Sequence, residues 1–304
     1  MPASPTTDQI IRTARQKGLV VPAFNIPYLP MMEPVVRAIV DQDCFALIET
    51  ARLEWIKFEA RSAAAVMKEY QKWAQPDYMR IHLDHVPVID EDLQRVDYLE
   101  IIREALELGY ESVMVDGSRL PLEENIKATR QVVEMAHRRG VPVEAELGAV
   151  MGHEAGPLPP YEELFASGRG FTDVEEARRF ARESGCDWLS VAAGNIHGAV
   201  SGIARDQPKV EARLNLEHLE KLYQATGLPL VLHGGSGIKR DNVLAAIKRG
   251  IAKVNIGTEI RQAYEQAWRA TGSIAKAQDA CYERTCWVIR DYFGIAGDRA
   301  QLMG

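Results

Sequence analysis

The sequence predicts a (β/α)8 barrel carrying one additional C-terminal helix, and three observations lead there. Eight short runs of β-branched and apolar residues recur along the chain. A stretch with helical spacing of apolar residues follows each run. Residues able to do chemistry interrupt the chain where the runs end. Strands alternating with helices require parallel pairing through crossover connections. Eight such units in about 250 residues close into a barrel whose reactive groups project from the C-terminal strand ends. An open doubly wound sheet is the alternative, but no Gly-x-Gly-x-x-Gly follows the first run to support it.

The eight runs occupy residues 19–24, 45–48, 79–83, 112–115, 141–145, 188–192, 229–232 and 252–256. Helical spacing spans 98–108, 122–137, 174–184, 216–225 and 242–249 between them. Residues 258–269 read as the last barrel helix. Residues 273–292 read as the additional amphipathic one, placed to cover the barrel or to pair subunits. The least regular segment, 151–171, is rich in Gly and Pro and precedes a helix beginning near Thr172, where Thr-Asp-Val-Glu resembles a capping box. A long loop on the reactive face is a natural lid. The expected organisation is therefore one barrel domain over residues 1–304 with a mobile active-site loop at about 151–171.

Composition narrows the class. With 46% hydrophobic and 26% charged residues the chain is expected to be a soluble globular protein. It has no apolar stretch of the roughly 18 residues that cross a bilayer. Residues 1–9 lack both the basic and the apolar portions of a secretory signal, so a cytoplasmic location is expected. Cys44, Cys186, Cys281 and Cys286 show no Cys-x-x-Cys spacing and read as reduced structural thiols. The net charge of −7 gives no electrostatic footprint for nucleic acid, and an anionic substrate would need a local positive site.

Four clusters carry the chemistry: His-Leu-Asp-His (82–85), Glu-Ala-Glu-Leu-Gly (144–148), Gly-Asn-Ile-His-Gly (194–198) and Leu-His-Gly-Gly-Ser-Gly (232–237). Neutral imidazole binds borderline cations, and catalytic zinc commonly takes three protein ligands with a fourth position open. His85, His197 and His233 end the third, sixth and seventh strands and can supply those three. His82 shares strand parity with Asp84 and reads as support. Asp84 suits general acid–base work; the competing reading is a carboxylate that orients a ligand histidine. Of Glu144 and Glu146, which share parity, one can face the cation while the other hydrogen-bonds within the barrel. Asp116, in Val-Asp-Gly-Ser, fits a structural anchor equally well. Gly234-Gly235-Ser236-Gly237 and Asn255-Ile256-Gly257-Thr258 follow strands seven and eight, the usual barrel phosphate site. Gly194 and Gly198 flank His197 and can complete that cradle.

Together these motifs resemble the metal-dependent class II fructose-bisphosphate and tagatose-bisphosphate aldolases over nearly the whole chain. The resemblance begins at Val-Pro-Ala-Phe-Asn (21–25) and runs through Ser-Val-Met-Val-Asp-Gly-Ser (112–118) to Lys-Val-Asn-Ile-Gly-Thr-Glu (253–259). It implies zinc held by His85, His197 and His233, with Glu146 as an alternative ligand and Asp116 beside it. It implies that Asp84 exchanges a proton with the C4 hydroxyl and that Glu154, on the mobile loop, moves the proton at C3. Gly198, Gly234, Ser236, Asn255 and Thr258 match positions that hold the dihydroxyacetone phosphate end; Asn25, Thr50 and Arg261 complete the candidate substrate-binding set. The implied reaction is reversible aldol cleavage of a ketose phosphate through a metal-stabilised enediolate. Zinc is the expected metal, with another divalent ion as the alternative and a monovalent cation as a candidate companion. A homodimer or homotetramer is expected.

Four departures from the family pattern bear on specificity. Ser201 stands where Lys is common. The second strand ends Ile48-Glu49-Thr50, with an added carboxylate. The lid carries Glu154-Ala155 followed by a Pro-rich insertion. No Asp-x-Arg-Lys segment lies between Arg269 and Gln278, so the usual arginine for the far phosphate is missing, with Arg261 and Arg284 as candidate replacements. Loss of a bidentate arginine clamp predicts an unphosphorylated acceptor aldehyde. A different metal-assisted sugar-phosphate enzyme, such as an epimerase or hydrolase, and a non-catalytic sugar-phosphate-binding barrel are the competing readings.

Overall fold

The computed structural model describes residues 4–148, 161–195, 212–235 and 237–303. Eight parallel strands close into a barrel in chain order: β1 (Val21–Asn25), β2 (Ala46–Ala51), β3 (Met79–Pro87), β4 (Ser112–Asp116), β5 (Val143–Leu147), β6 (Trp188–Val191), β7 (Leu230–Leu232) and β8 (Ile251–Ile256). Each predicted run overlaps one of them. Before β1 lies α1 (Thr7–Lys17), started by a Thr6–Gln9 capping box and stopped at left-handed Gly18. A 3-10 turn (Leu29–Met31) and α2 (Met32–Asp41) follow β1, and α3 (Arg52–Lys57) and α4 (Ala63–Trp73) follow β2. The outer layer continues with α5 (Tyr98–Leu108), α6 (Leu122–His137), α7 (Tyr161–Ser167), α8 (Val174–Ser184), α9 (Leu216–Thr226), α10 (Arg240–Ile247), α11 (Thr258–Thr271) and α12 (Ile274–Trp287).

The structure revises three local expectations. The C-terminal helix does not run evenly from 273 to 292, because α12 passes into a π-helical stretch (Val288–Phe293) before α13 (Arg299–Met303). Part of the expected irregular segment 151–171 is helical, as α7. The cap of α8 is Asp173, whose carboxylate accepts from the Glu175 and Glu176 N–H groups. Thr172 instead donates to Leu147 O and accepts from Ala192 N, tying β5 to β6. Among the described residues no helix is long and apolar enough to cross a membrane. All four cysteines are free and buried.

Alternation along the strands divides the buried residues into two apolar bodies. Outward-pointing Phe24, Ile48, Ile81, Leu83, Val113, Val143, Leu189, Leu230 and Val254 pack under the helices. A smaller body fills the lower barrel, where Val21, Ala23, Phe45, Leu47, Trp188, Val231 and Ala252 meet Ile10, Ile11 and Ala14 of α1 and Leu302 of α13. The Trp188 indole N–H is satisfied by Asp8 at 3.0 Å. This plug shuts the N-terminal end, so the lumen opens only at the C-terminal strand ends. Truncating it is expected to be costly: Phe45→Ala should destabilise by about 3–5 kcal/mol, whereas Ile56→Ala, at a half-exposed position, should change stability by no more than about 0.5 kcal/mol. Urea unfolding of the two variants checks this, and equal losses would show that Phe45 is not part of a tightly packed plug.

Candidate metal centre and active site

Strict alternation would turn His85 away from the lumen, because Asp84 and His82 already point into it. The chain escapes this through a bulge. Leu83 pairs with Val113 and Val86 with Val115, so β3 holds one more residue than β4 between these pairs. His85 absorbs the excess with φ +33, in the left-handed region that β-branched and bulky residues avoid. Asp84 and His85 therefore both reach the barrel mouth. A second register shift, between β7 and β8, lets Ala252 join the apolar plug while Lys253, next to it, also enters the lumen.

His85 Nε2 lies 2.6 Å from His233 Nδ1. The remaining ring nitrogens are held by carboxylates: His233 Nε2 is 2.7 Å from Glu144 Oε1, and His85 Nδ1 is 3.5 Å from Asp116 Oδ2. A carboxylate accepts, so each of these nitrogens carries the proton and each imidazole aims its other lone pair at the shared locus. Two converging lone pairs are what a divalent cation requires. Glu146 Oε2 is 3.5 Å from His233 Nδ1 and 4.0 Å from His85 Nδ1. Asp84, His85 and His233 form one group whose ligand atoms lie within 4.8 Å of one another, and His85, Asp116 and Glu146 form another. Asp116 is anchored by the Ser118 backbone N–H and hydroxyl; Glu146 accepts from Ser190 Oγ at 3.3 Å.

Without a cation, electrostatics put a proton at this locus. Burial opposes charging His85, but Asp84 and Asp116 outweigh it and raise its pKa well above the ordinary value. Burial and the His85 charge push His233 down. Burial and the Asp116 charge lift Glu146 well above the usual carboxylate range.

Asp84 sits beside the cation locus, held from two sides. Asn25 Nδ2 donates to Oδ2 at 3.1 Å and Asn255 Nδ2 to Oδ1 at 2.9 Å. Burial works to raise its pKa, yet His85, His233 and Lys253 together keep it below the ordinary value, so it is an anion. Beneath it lies a layer of buried charge. The Lys253 ammonium donates to Asn255 Oδ1 at 2.7 Å and stands 2.9 Å from Glu144 Oε2 and 3.2 Å from Glu49 Oε2. His82, neutral because burial and Lys253 lower its pKa to about 3, hydrogen-bonds Ser112 through Nδ1.

Other predicted residues fall in different places. Asn25, Asn255, Asp116, Glu146, His85 and His233 converge with Asp84. Thr50 does not: it has the parity of outward Ile48, and Glu49 is the residue that enters the lumen. Gly234 and Thr258 lie at the β7 and β8 ends. Gly235 is required there, since a Cβ would come within 2.5 Å of Val254 Cγ1. Arg261 is buried with its guanidinium 2.8 Å from Glu265 Oε2, and Arg284 pairs with Glu259. His197, Gly198, Ser201, Glu154 and Ser236 lie outside the described residues. Sequence reasoning missed Asn195, which donates to His233 O at 3.0 Å and so ties the sixth strand end to the seventh. It also missed Lys253, whose signal was a cation inside an apolar run, two residues before Asn255.

Known proteins resemble this chain along most of its length. A family model described as "Fructose-bisphosphate aldolase class-II" matches residues 5–294. The fructose-bisphosphate aldolase of Streptococcus pneumoniae serotype 4 is 35% identical over 286 residues, covering 92% of this chain and 87% of that protein. Among solved structures, the YdjI aldolase from Escherichia coli K12 superposes with a TM-score of 0.72 at 28% identity, covering 96% of this chain and 99% of that one. A putative fructose-1,6-biphosphate aldolase from Coccidioides immitis gives 0.75 at 26% identity, covering 96% of each chain.

The proton at the cation locus yields a sign for the pH dependence of metal binding. Because the His85 pKa is raised in the metal-free chain, a bound ion must displace that proton. Zinc binding near pH 7 is expected to release about one proton, and affinity should weaken by up to about tenfold per unit as pH falls below the His85 pKa. Isothermal titration in buffers of different ionisation enthalpy measures it; a heat independent of buffer would show that no proton occupies the locus.

Proposed function

This chain belongs to the class II fructose-bisphosphate aldolase family, and we propose that it catalyses reversible aldol cleavage of a ketose phosphate, with dihydroxyacetone phosphate as the three-carbon half and an unphosphorylated aldehyde as the other. One observation carries the reading: two imidazole lone pairs converge beside a carboxylate held by two asparagine amides. A divalent metal there, zinc in this proposal, supplies Lewis acidity to the ketose carbonyl and to the negative charge that cleavage leaves on the three-carbon fragment. His85 and His233 are its proposed ligands, with His197 as the third and Glu146 and Asp116 beside them.

Asp84 performs the proton transfer at the bond that breaks. Held as an anion by Asn25 and Asn255, it takes the proton of the hydroxyl adjacent to the scissile bond, and in synthesis returns it. Its lowered pKa keeps it ionised and so able to accept a proton. Glu154 is proposed to move the proton on the three-carbon fragment. The backbone around Gly234 and the N-terminus of α11 at Thr258 offer N–H groups to a phosphate, as helix N-termini do. At the acceptor end, both candidate arginines are already engaged, Arg261 with Glu265 and Arg284 with Glu259. That favours an aldehyde without phosphate.

Zinc-loaded protein is expected to release dihydroxyacetone phosphate from a ketose 1-phosphate, to lose that activity with a chelator, and to prefer the monophosphate to the 1,6-bisphosphate. A clear preference for the bisphosphate would overturn the acceptor assignment; silence on both with zinc bound would overturn the aldolase reading. Asp84→Asn should lower kcat by roughly 10²–10⁴ while the protein still binds zinc. A variant that keeps more than a tenth of parental kcat would remove Asp84 from the proton transfer.

A further inference from the structure

Lys253 belongs to β8, yet its ammonium reaches Glu144 on β5, three strands away round the barrel, so the contact runs through the lumen. The side chain is wholly buried. Burial opposes its charge, but Glu144 and Glu49 outweigh that and hold its pKa above the ordinary lysine value. From this single cation two chains of contacts lead upward. One passes through Glu144, whose Oε2 is 2.9 Å from Nζ and whose Oε1 is 2.7 Å from His233 Nε2. The other passes through Asn255, whose Oδ1 accepts from Nζ at 2.7 Å and whose Nδ2 donates to Asp84 Oδ1 at 2.9 Å.

We infer that Lys253 is a positioning residue that sets the metal-facing His233 and the proton-transferring Asp84 together. In the first chain it holds one oxygen of Glu144 so that the other stays aimed at His233 Nε2, leaving Nδ1 of that ring to face the cation. Partners behind a ligand histidine fix its tautomer and raise its basicity in this way. In the second chain it holds the Asn255 amide from below. An ammonium offers only donors, so Oδ1 must face Lys253, and the amide NH2 is left to hold Asp84. The Asp84 carboxylate, which only accepts, selects the same orientation from above, so the amide is clamped from both ends; lacking the ammonium, Oδ1 loses its donor and the clamp is one-sided.

The Asp84 arm of this inference rests on the aldolase reading, whereas the His233 arm is tested by metal binding alone. In Lys253→Met, zinc affinity, read by competition with a chromophoric chelator, is expected to fall roughly 10–100-fold. With zinc saturating, kcat on the ketose 1-phosphate that the parent cleaves fastest should remain at least tenfold lower, with KM within about threefold. Should Lys253→Met not accumulate as folded protein, Lys253→Met/Glu49→Met replaces the buried pair with apolar side chains of similar volume, a change that folds often tolerate. The same two measurements are then made at a Tm close to the parent's. Parental zinc affinity in a folded variant would overturn the His233 arm, and kcat fully restored by excess zinc would overturn the Asp84 arm. A parent that binds zinc but cleaves no ketose phosphate would overturn the aldolase reading, and the zinc titration would still decide the place of Lys253.

Discussion

Desolvating a carboxylate costs several kcal/mol unless partners offset it, and this barrel buries Glu49, Asp84, Glu144 and Glu146 around one lumen. The ion contact of Lys253 with Glu144 supplies the offset, reinforced by the Asn25 and Asn255 amides on Asp84. The partition of charge follows from them. Burial alone would protonate all four carboxyls. Lys253 and the histidines hold Glu144 and Asp84 low, while burial and neighbouring carboxylate charge leave Glu49 and Glu146 well above the ordinary range. Carboxyls of one chemistry thus acquire different states a few ångströms apart.

That charged layer is tolerable only because the fold separates it from water on one side and exposes it on the other. The plug of Phe45, Leu47, Trp188 and α1 closes the lower lumen, so field from Lys253 acts in a low-dielectric setting where it is strong. The upper side is shaped by two irregularities in the sheet, at His85 and at Ala252. A regular barrel would offer its mouth one inward residue from each strand at each level. The bulge in β3 offers two in succession, Asp84 and His85, which puts a carboxylate and an imidazole of one possible metal-binding group on adjacent residues. The positive φ at His85 is the local strain that this requires.

Much of this was legible in the chain. Apolar runs separated by helical periods located all eight strands, and the ends of α5 and α8 coincide with the expected spans, because capping residues and the left-handed glycines Gly109 and Gly185 mark them. His85, His233, Asp84, Asn25 and Asn255 were legible as polar residues closing apolar runs. The bulges were not, since a single extra residue leaves no trace in a hydrophobic pattern. For that reason His-Leu-Asp-His could not be placed by parity. Thr50 was expected at the substrate because its hydroxyl matches the family's strand-two end, although alternation turns it outward and brings Glu49 in. Lys253 was quoted in a motif without a role, because its significance lies in partners from β2 and β5 that no local pattern reveals.

The acceptor end illustrates how residue type and availability differ. Arg261 had the right chemistry for a phosphate and sits at the start of α11, close to the strand ends. Its guanidinium is nevertheless buried against Glu265, which also accepts the Tyr28 hydroxyl at 2.6 Å and contacts Arg269 at 3.3 Å. A phosphate taking Arg261 would strip a buried carboxylate of its nearest cation and bring a second anion beside it, and breaking one side of a buried pair costs more than the new contact returns. Arg284 is more exposed, but its partner Glu259 would repel the same phosphate. At the proposed donor end, the N-terminus of α11 at Thr258 offers an anion backbone N–H groups in place of a committed side-chain cation. Discrimination between the two ends of a ketose phosphate can therefore arise from which positive groups are already committed, and not from how many the chain contains.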